Sequence, residues 1–233
     1  MTILCIETST SVCSAAICKD GEPVKQCINY EGSNHARLLP LYIEQLLQLA
    51  REKNRTIDAV ALSEGPGSYT GLRIGTRTAK GICYGLNIPL VPVPTLEVLC
   101  EAARQHSAIS SQPSDVLVPM IDARRMEVYT SVDGETKAVV VENEDSLIAN
   151  SQHPLANSHI YYFGDGAEKC SKIFTKPNWH YIPSIVPEAQ YVGVLAEKLI
   201  VDGKGLTAKD LAYYEPYYLK EFIAAQSHVK GLS

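Results

Sequence analysis

Short apolar runs broken by polar turns open the chain. Residues 3–7, 13–18 and 23–30 predict three strands, with Thr8-Ser9-Thr10 and Lys19-Asp20-Gly21 as the turns of an antiparallel meander. From 37 to 51 the apolar period changes to that of a helix. Leu39, Ile43, Leu46, Leu47 and Ala50 cover one face, and Leu38, Leu41, Tyr42 and Leu49 carry the apolar surface further around the cylinder. Such a helix is either buried between layers of its own domain or touches another subunit, and in a domain this small the second reading is favoured. Pro40 fits only if it lies in the first turn, where its missing amide has no intrahelical partner.

A strand at 59–63, a helix of small residues, a strand at 90–93 and a helix at 96–105 complete the order βββαβαβα. The second half repeats it more loosely. Strands are predicted at 116–121, 127–132 and 138–142, a helical piece at 145–149, a strand at 160–163, a helix at 167–173, a weak strand at 179–182 and a helix at 189–199. No residue-level repeat links the halves, so the pattern alone predicts a duplicated α/β unit with lobes 1–108 and 109–233. The boundary falls in the polar stretch 106–114.

The segment 64–81, Glu-Gly-Pro-Gly-Ser-Tyr-Thr-Gly-Leu-Arg-Ile-Gly-Thr-Arg-Thr-Ala-Lys-Gly, is a glycine-rich turn that leaves a strand and opens a helix. Ser68 or Thr70 is the expected N-cap, and free amides at such a turn can hold an anion. No nucleotide motif fits. A P-loop needs Lys and then Ser or Thr after its last glycine, but Leu72 follows Gly71, and the dinucleotide fingerprint needs its third glycine one residue earlier. Within the helix, Gly71, Gly75, Ala79 and Cys83 form one small-residue stripe, while Arg73, Arg77 and Lys80 fall elsewhere as a solvated or salt-bridged face. Gly75 and Gly81 are interior, and each costs about 1 kcal/mol relative to alanine. Close approach of another backbone would offset that cost, either the sheet of the same chain or a helix of a partner.

Composition narrows the functional classes. At 233 residues, 45% hydrophobic and 20% charged, the chain can bury a substantial core. A net charge of -5 argues against nucleic-acid binding by the chain's own phosphate contacts, which need a concentrated basic face. Seven cysteines, an odd number without a Cys-x-x-Cys pair, read as small buried hydrophobes in a reducing compartment. The opening Met-Thr-Ile-Leu-Cys-Ile-Glu lacks a basic segment and reads as a first strand, and no apolar stretch reaches transmembrane length. A cytoplasmic protein without membrane attachment is expected.

Catalytic chemistry is sparse. Six histidines include no His-x-x-x-His pair and no His-Glu-x-x-His helix, so spacing predicts no metal site. His35, just before the first helix, suits a capping or interface role. Gly67-Ser68 does not meet the nucleophile-elbow pattern. Glu7 and Asp122 each end a strand and could hold magnesium, but two carboxylates far apart in sequence are weak support for a site.

Four stretches carry a family resemblance: Ile-Glu-Thr-Ser-Thr at 6–10, Ser-Asn-His-Ala-Arg-Leu-Leu-Pro at 33–40, Glu-Gly-Pro-Gly-Ser-Tyr-Thr-Gly-Leu-Arg-Ile-Gly at 64–75 and Asp-Ala-Arg-Arg-Met-Glu-Val-Tyr at 122–129. They resemble the TsaB (YeaZ) family over about the first 130 residues, and Glu-Pro-Tyr-Tyr-Leu-Lys at 215–220 resembles its closing motif. The resemblance implies an α/β fold of the duplicated actin, sugar-kinase and Hsp70 (ASKHA) type. It also implies a non-catalytic subunit that activates TsaD, the enzyme that transfers a threonylcarbamoyl group to N6 of the tRNA adenosine beside the anticodon. ATP and metal are then expected on the TsaD partner, with no cofactor, metal or catalytic residue in this chain. The TsaE ATPase is implied in the larger complex, a homodimer when the chain is isolated, and tRNA contact only through the complex.

The positions that match the metal-binding histidine pair of TsaD fall near Thr95 and Leu99, and neither replaces an imidazole. Glu7 stands where the family more often has Asp, and its extra methylene would displace a metal-bound water. In the family the first two helices pack against their counterparts in TsaD. The partner interface is therefore expected at His35, Leu38, Leu41, Tyr42, Gly71, Arg73, Gly75, Arg77 and Ala79. Two other classes remain open: an ATP-dependent phosphotransferase of the sugar-kinase type, and a metallopeptidase of the M22 glycoprotease type, against which the histidine spacing speaks.

Overall fold

The structure, a computed structural model, describes residues 1–32, 34–109, 112, 114–132, 134–148, 158–206 and 208–220. The first sheet is built from β1 (Thr2–Glu7), β2 (Cys13–Lys19), β3 (Glu22–Asn29), β4 (Ala59–Gly65) and β5 (Leu90–Pro94), and its helices are α1 (His35–Glu52), α2 (Tyr69–Leu86) and α3 (Thr95–Arg104). The second sheet holds β6 (Val116–Asp122), β7 (Glu127–Val132), β8 (Glu135–Val140), β9 (Ile160–Phe163) and β10 (Trp179–Tyr181), with α4 (Asp145–Ile148), α5 (Ala167–Cys170), α6 (Ala189–Val201) and α7 (Ala208–Tyr213).

The two sheets share one topology. In the first the order is β3-β2-β1-β4-β5, and in the second β8-β7-β6-β9-β10. Each has an antiparallel meander followed by two strands parallel to its first. The duplication expected from pattern alone is thus present strand for strand.

All six residues of β1 are buried because helices cover both faces of its sheet. Leu4 and Ile6 join a core with Leu39, Ile43 and Leu46 of α1 and Ala79 and Cys83 of α2, while Ile3 and Cys5 meet Val98 of α3 and Ala189, Val192 and Ala196 of α6. Alternation along the strand sends successive side chains to opposite layers. In the second lobe, α3 residues Leu96, Leu99 and Ala103 pack with Ile121, Tyr161 and Phe163, and α4 and α5 close the other face. A division at 108/109 follows the sheets but not the packing. Helix α6 lies on the first sheet, as does Leu211 of α7, and a bridge joins Leu206 to Leu90.

Several expectations shift. Helix α1 starts at His35, so Pro40 sits in the second turn; it and Ala36, whose carbonyl loses its partner, are both exposed to solvent. Strand β8 begins at Glu135, earlier than predicted, since a polar edge strand hides its alternation; Gly134, in the left-handed region at φ +78°, makes the turn. Helix α5 stops at Cys170, and Ala149, predicted to end α4, lies outside the described residues, as do Ser110, Ser111 and Pro113 of the predicted boundary. Helix α7 had no counterpart in the sequence reading. Six of the cysteines are buried and Cys27 half-buried. Among the described residues, no helix is long and apolar enough to cross a membrane.

Candidate partner-docking face and glycine-rich turn

Ser68 caps α2, its side-chain oxygen accepting from the Gly71 amide at 3.3 Å. The Gly65 amide donates to Thr95 Oγ1 at 3.1 Å and the Ser68 amide to the Ser9 carbonyl at 2.6 Å. The amides of Gly65, Ser68 and Gly71 are therefore bonded inside the chain, and the turn is held to the loop after β1 and to α3 by its own backbone. From outside, residues 214–220 press onto it. The Tyr217 amide donates to the Glu64 carbonyl at 2.7 Å, Tyr218 stacks on Tyr69 with ring centroids 4.9 Å apart, and Lys220 pairs with Glu127 of β7. Gly65, at φ +121°, is required here, because a β-carbon would overlap the Tyr217 carbonyl.

The small-residue stripe of α2 faces the chain's own sheet. Gly71, Gly75, Ala79 and Cys83 are all buried, and Thr8 Oγ1 donates to the Gly71 carbonyl at 2.9 Å. A β-carbon at Gly71 would overlap the Thr8 carbonyl, and one at Gly75 would overlap Thr8 Oγ1. Gly71, Gly75 and Ala79, expected at a partner interface, are thus internal packing positions. For Gly75 the alternative left open by the sequence is decided in favour of the same chain.

The opposite side of α2 differs. Nothing lies within 4 Å of a β-carbon at Gly81 or Gly85, and Arg73 and Arg77 are exposed, with the Arg73 guanidinium 5.0 Å from the Tyr69 ring centroid. Lys80 departs from the expected solvated face: its ammonium donates to the carbonyls of Ala212 and Tyr214, both at 3.0 Å, and so holds the end of α7. On α1, Leu38 and Tyr42 are half-buried at the edge of the core and Leu41 is 48% exposed. His35 is buried instead, its Nε2 lying 3.0 Å from the Thr10 carbonyl and 3.2 Å from that of Val12. It anchors the start of α1 to the loop after β1 and does not face outward, which corrects its expected interface role.

The strand-end carboxylates have separate surroundings. Glu7 is fully buried; its Oε1 accepts from the amide and hydroxyl of Ser9, both at 2.6 Å, and Ser63 donates to Oε2. Burial pushes its carboxyl above the usual range, hydrogen bonds from Ser63 and Ser9 pull the other way, and the charge of Asp165 adds to the rise. Asp122 is exposed and pairs with Lys169. Asp165, whose pKa burial also raises, accepts from the Asp122 amide at 2.9 Å. Thr95, fully buried, serves Gly65 as above, and Leu99 lies in the apolar core between α3 and the second sheet. The strap at 214–220, which the pattern of the chain left without a role, braces the turn; its run of tyrosines is the signal in the sequence.

Two five-stranded sheets of one repeated order, packed through a shared pair of central helices, define the duplicated α/β class to which actin, sugar kinases and Hsp70 belong. A family model described as "TsaD: tRNA N6-adenosine threonylcarbamoyltransferase" matches residues 31–213. The chain is 28% identical over 232 residues, 94% of each sequence, to a protein of Haemophilus influenzae named tRNA threonylcarbamoyladenosine biosynthesis protein TsaB. It is 34% identical to the Bacillus subtilis protein of that name over 133 residues, 57% of this chain and 55% of the relative. A Pseudomonas aeruginosa structure described as YeaZ superposes with a TM-score of 0.69 at 26% identity, covering 94% of this chain and 99% of that one. The chain belongs to the TsaD family, within its TsaB (YeaZ) group.

Proposed function

We propose that this chain is the non-catalytic, activating subunit of a complex that makes N6-threonylcarbamoyladenosine next to the tRNA anticodon, and that it docks on a TsaD threonylcarbamoyltransferase through the outer faces of α1 and α2. The observation that carries the proposal is the two-sided character of α2. Gly75 is accounted for by Thr8, whereas Gly81 meets nothing in its own chain, and an exposed interior helical glycine costs about 1 kcal/mol. A partner helix approaching that side would need the room that the absent side chain leaves. Leu38, Leu41 and Tyr42 on α1 and Arg73, Arg77 and Gly81 on α2 form the docking face in this reading. ATP and metal belong to the TsaD partner, TsaE joins the larger assembly, tRNA is reached through the complex, and the isolated chain dimerises through the same face.

Support for the non-catalytic part comes from the roles that candidate ligand positions already fill. Thr95 and Leu99 are held in internal contacts, and the turn amides of Gly65, Ser68 and Gly71 are bonded within the chain. The lobe 1–108 carries the docking helices, and the lobe 109–233 returns α6 and the strap to brace them. Mixing the purified chain with TsaD in a sedimentation experiment tests the reading. A one-to-one complex and a many-fold rise in threonylcarbamoyl transfer by TsaD are expected; turnover by the chain alone, or failure to associate, contradicts it.

A further inference from the structure

The histidines carry no metal-binding spacing along the chain, yet the second sheet brings two of them together. His159 directly precedes β9, and His180 lies in β10, the edge strand, opposite Tyr161 in parallel register. His159 and Tyr161, two residues apart, share a face of the sheet, and His180 reaches the same side, with ring centroids 5.0 Å from His159 and 5.3 Å from Tyr161. His159 Nδ1 lies 2.8 Å from His180 Nε2. His159 is exposed and His180 half-buried, so solvent reaches the pair.

We propose that His159 and His180 form a two-imidazole site for a divalent transition ion of the nickel, copper and zinc group, with water completing the coordination shell. Imidazole is the preferred ligand of these ions, and hard cations such as magnesium prefer oxygen. With metal–nitrogen bonds of about 2.0–2.1 Å in tetrahedral geometry, two ligating nitrogens stand about 3.3 Å apart. The present pair is therefore only about 0.5 Å too close, a gap that a small outward swing of the exposed His159 ring opens. The ion takes the place of the hydrogen shared between the rings, which moves to the outward nitrogen of the ring that carried it, and both inner lone pairs become ligands. Among the described residues, β10 is three residues long and pairs with β9 alone, so the bound ion would cross-link the shortest strand of the second sheet. The relation of the two histidines is one of sheet register and is independent of the docking role proposed above.

Calorimetric titration of the metal-free chain with nickel chloride, zinc chloride and magnesium chloride tests the site, with thermal unfolding alongside. One nickel or zinc ion per chain, an increase in Tm with either ion, and no response to magnesium are expected. His159→Ala and His180→Ala should each weaken binding by at least about tenfold, the loss that even outer partners of a metal site produce. His106→Ala, which removes a histidine elsewhere, should leave the titration unchanged. Binding that persists in both single variants, or no binding in a chain whose circular dichroism shows it folded, overturns the proposal. His159→Gln and His180→Gln keep hydrogen-bonding side chains at the edge and serve the same purpose if an alanine variant fails to fold.

Discussion

Helix α2 carries interior glycines on two sides, alike in sequence and different in what they touch. Its inner side places Gly71 and Gly75 against Thr8 at the end of β1, so close that no side chain fits; its outer side places Gly81 and Gly85 over open space. A glycine with a neighbour in its own chain is a packing device, and one without such a neighbour is a cost that something beyond the chain must explain. The sign of the response to added volume separates the two.

The largest effect is expected from Gly75→Leu, whose side chain would be driven into Thr8 and β1. It should destabilise the chain by about 3 kcal/mol or more in urea denaturation, since overpacking a closed core forces backbone shifts. Thr8→Val, which removes the hydroxyl that donates to the Gly71 carbonyl, should cost about 0.5–1.5 kcal/mol by the same measurement, the net worth of one hydrogen bond, since the Gly75 amide of the helix still donates to that carbonyl. Gly75→Ala sharpens the contrast. Alone it should destabilise, but combined with Thr8→Ala it should gain up to about 1 kcal/mol of helix propensity relative to Thr8→Ala, because the hydroxyl it collides with is gone. On the outer side, Gly81→Ala should raise the stability of the isolated chain by about 1 kcal/mol. A loss there would mean that the outer glycine is also held by its own fold.

The inner side rests on a titrating strand end. Burial raises the Glu7 pKa in the folded state above the ordinary value of about 4.3. The folded chain then binds the proton more tightly than the unfolded one. Stability from this group is fully present below the unfolded value and is lost as pH rises through the folded value. Glu7→Gln should remove that part of the decline, leaving a flatter stability profile above the unfolded value of about 4.3, measured by denaturation at a series of pH values. The raised carboxyls of Glu64 and Asp165 contribute declines of the same sign that the substitution leaves in place.

Much of this architecture was legible from the chain. Alternation exposed nine of the ten strands near their true bounds, because a strand covered on one or two faces must repeat its apolar positions; β8 was displaced because Glu135, Thr136 and Lys137 sit on an edge. Local chemistry narrowed the cap of α2 to Ser68 or Thr70, and Ser68 fills it. What could not be read depended on distant contacts. The inward orientation of the small-residue stripe is set by Thr8, and the task of His35 by two carbonyls at Thr10 and Val12. Tyr217 and Lys220 acquire partners only when the end of the described chain returns across both lobes. His159 and His180 meet through the register of two strands, which no spacing rule along the sequence encodes.

The most direct test of the two-sided helix is sedimentation velocity of wild type and Gly81→Leu, each mixed with the TsaD transferase. The wild-type chain should form a one-to-one complex, while Gly81→Leu, folded and at least as stable by thermal unfolding, should sediment apart from it. A Gly81→Leu chain that binds as tightly as wild type would show that the outer face of α2 is not where the partner docks.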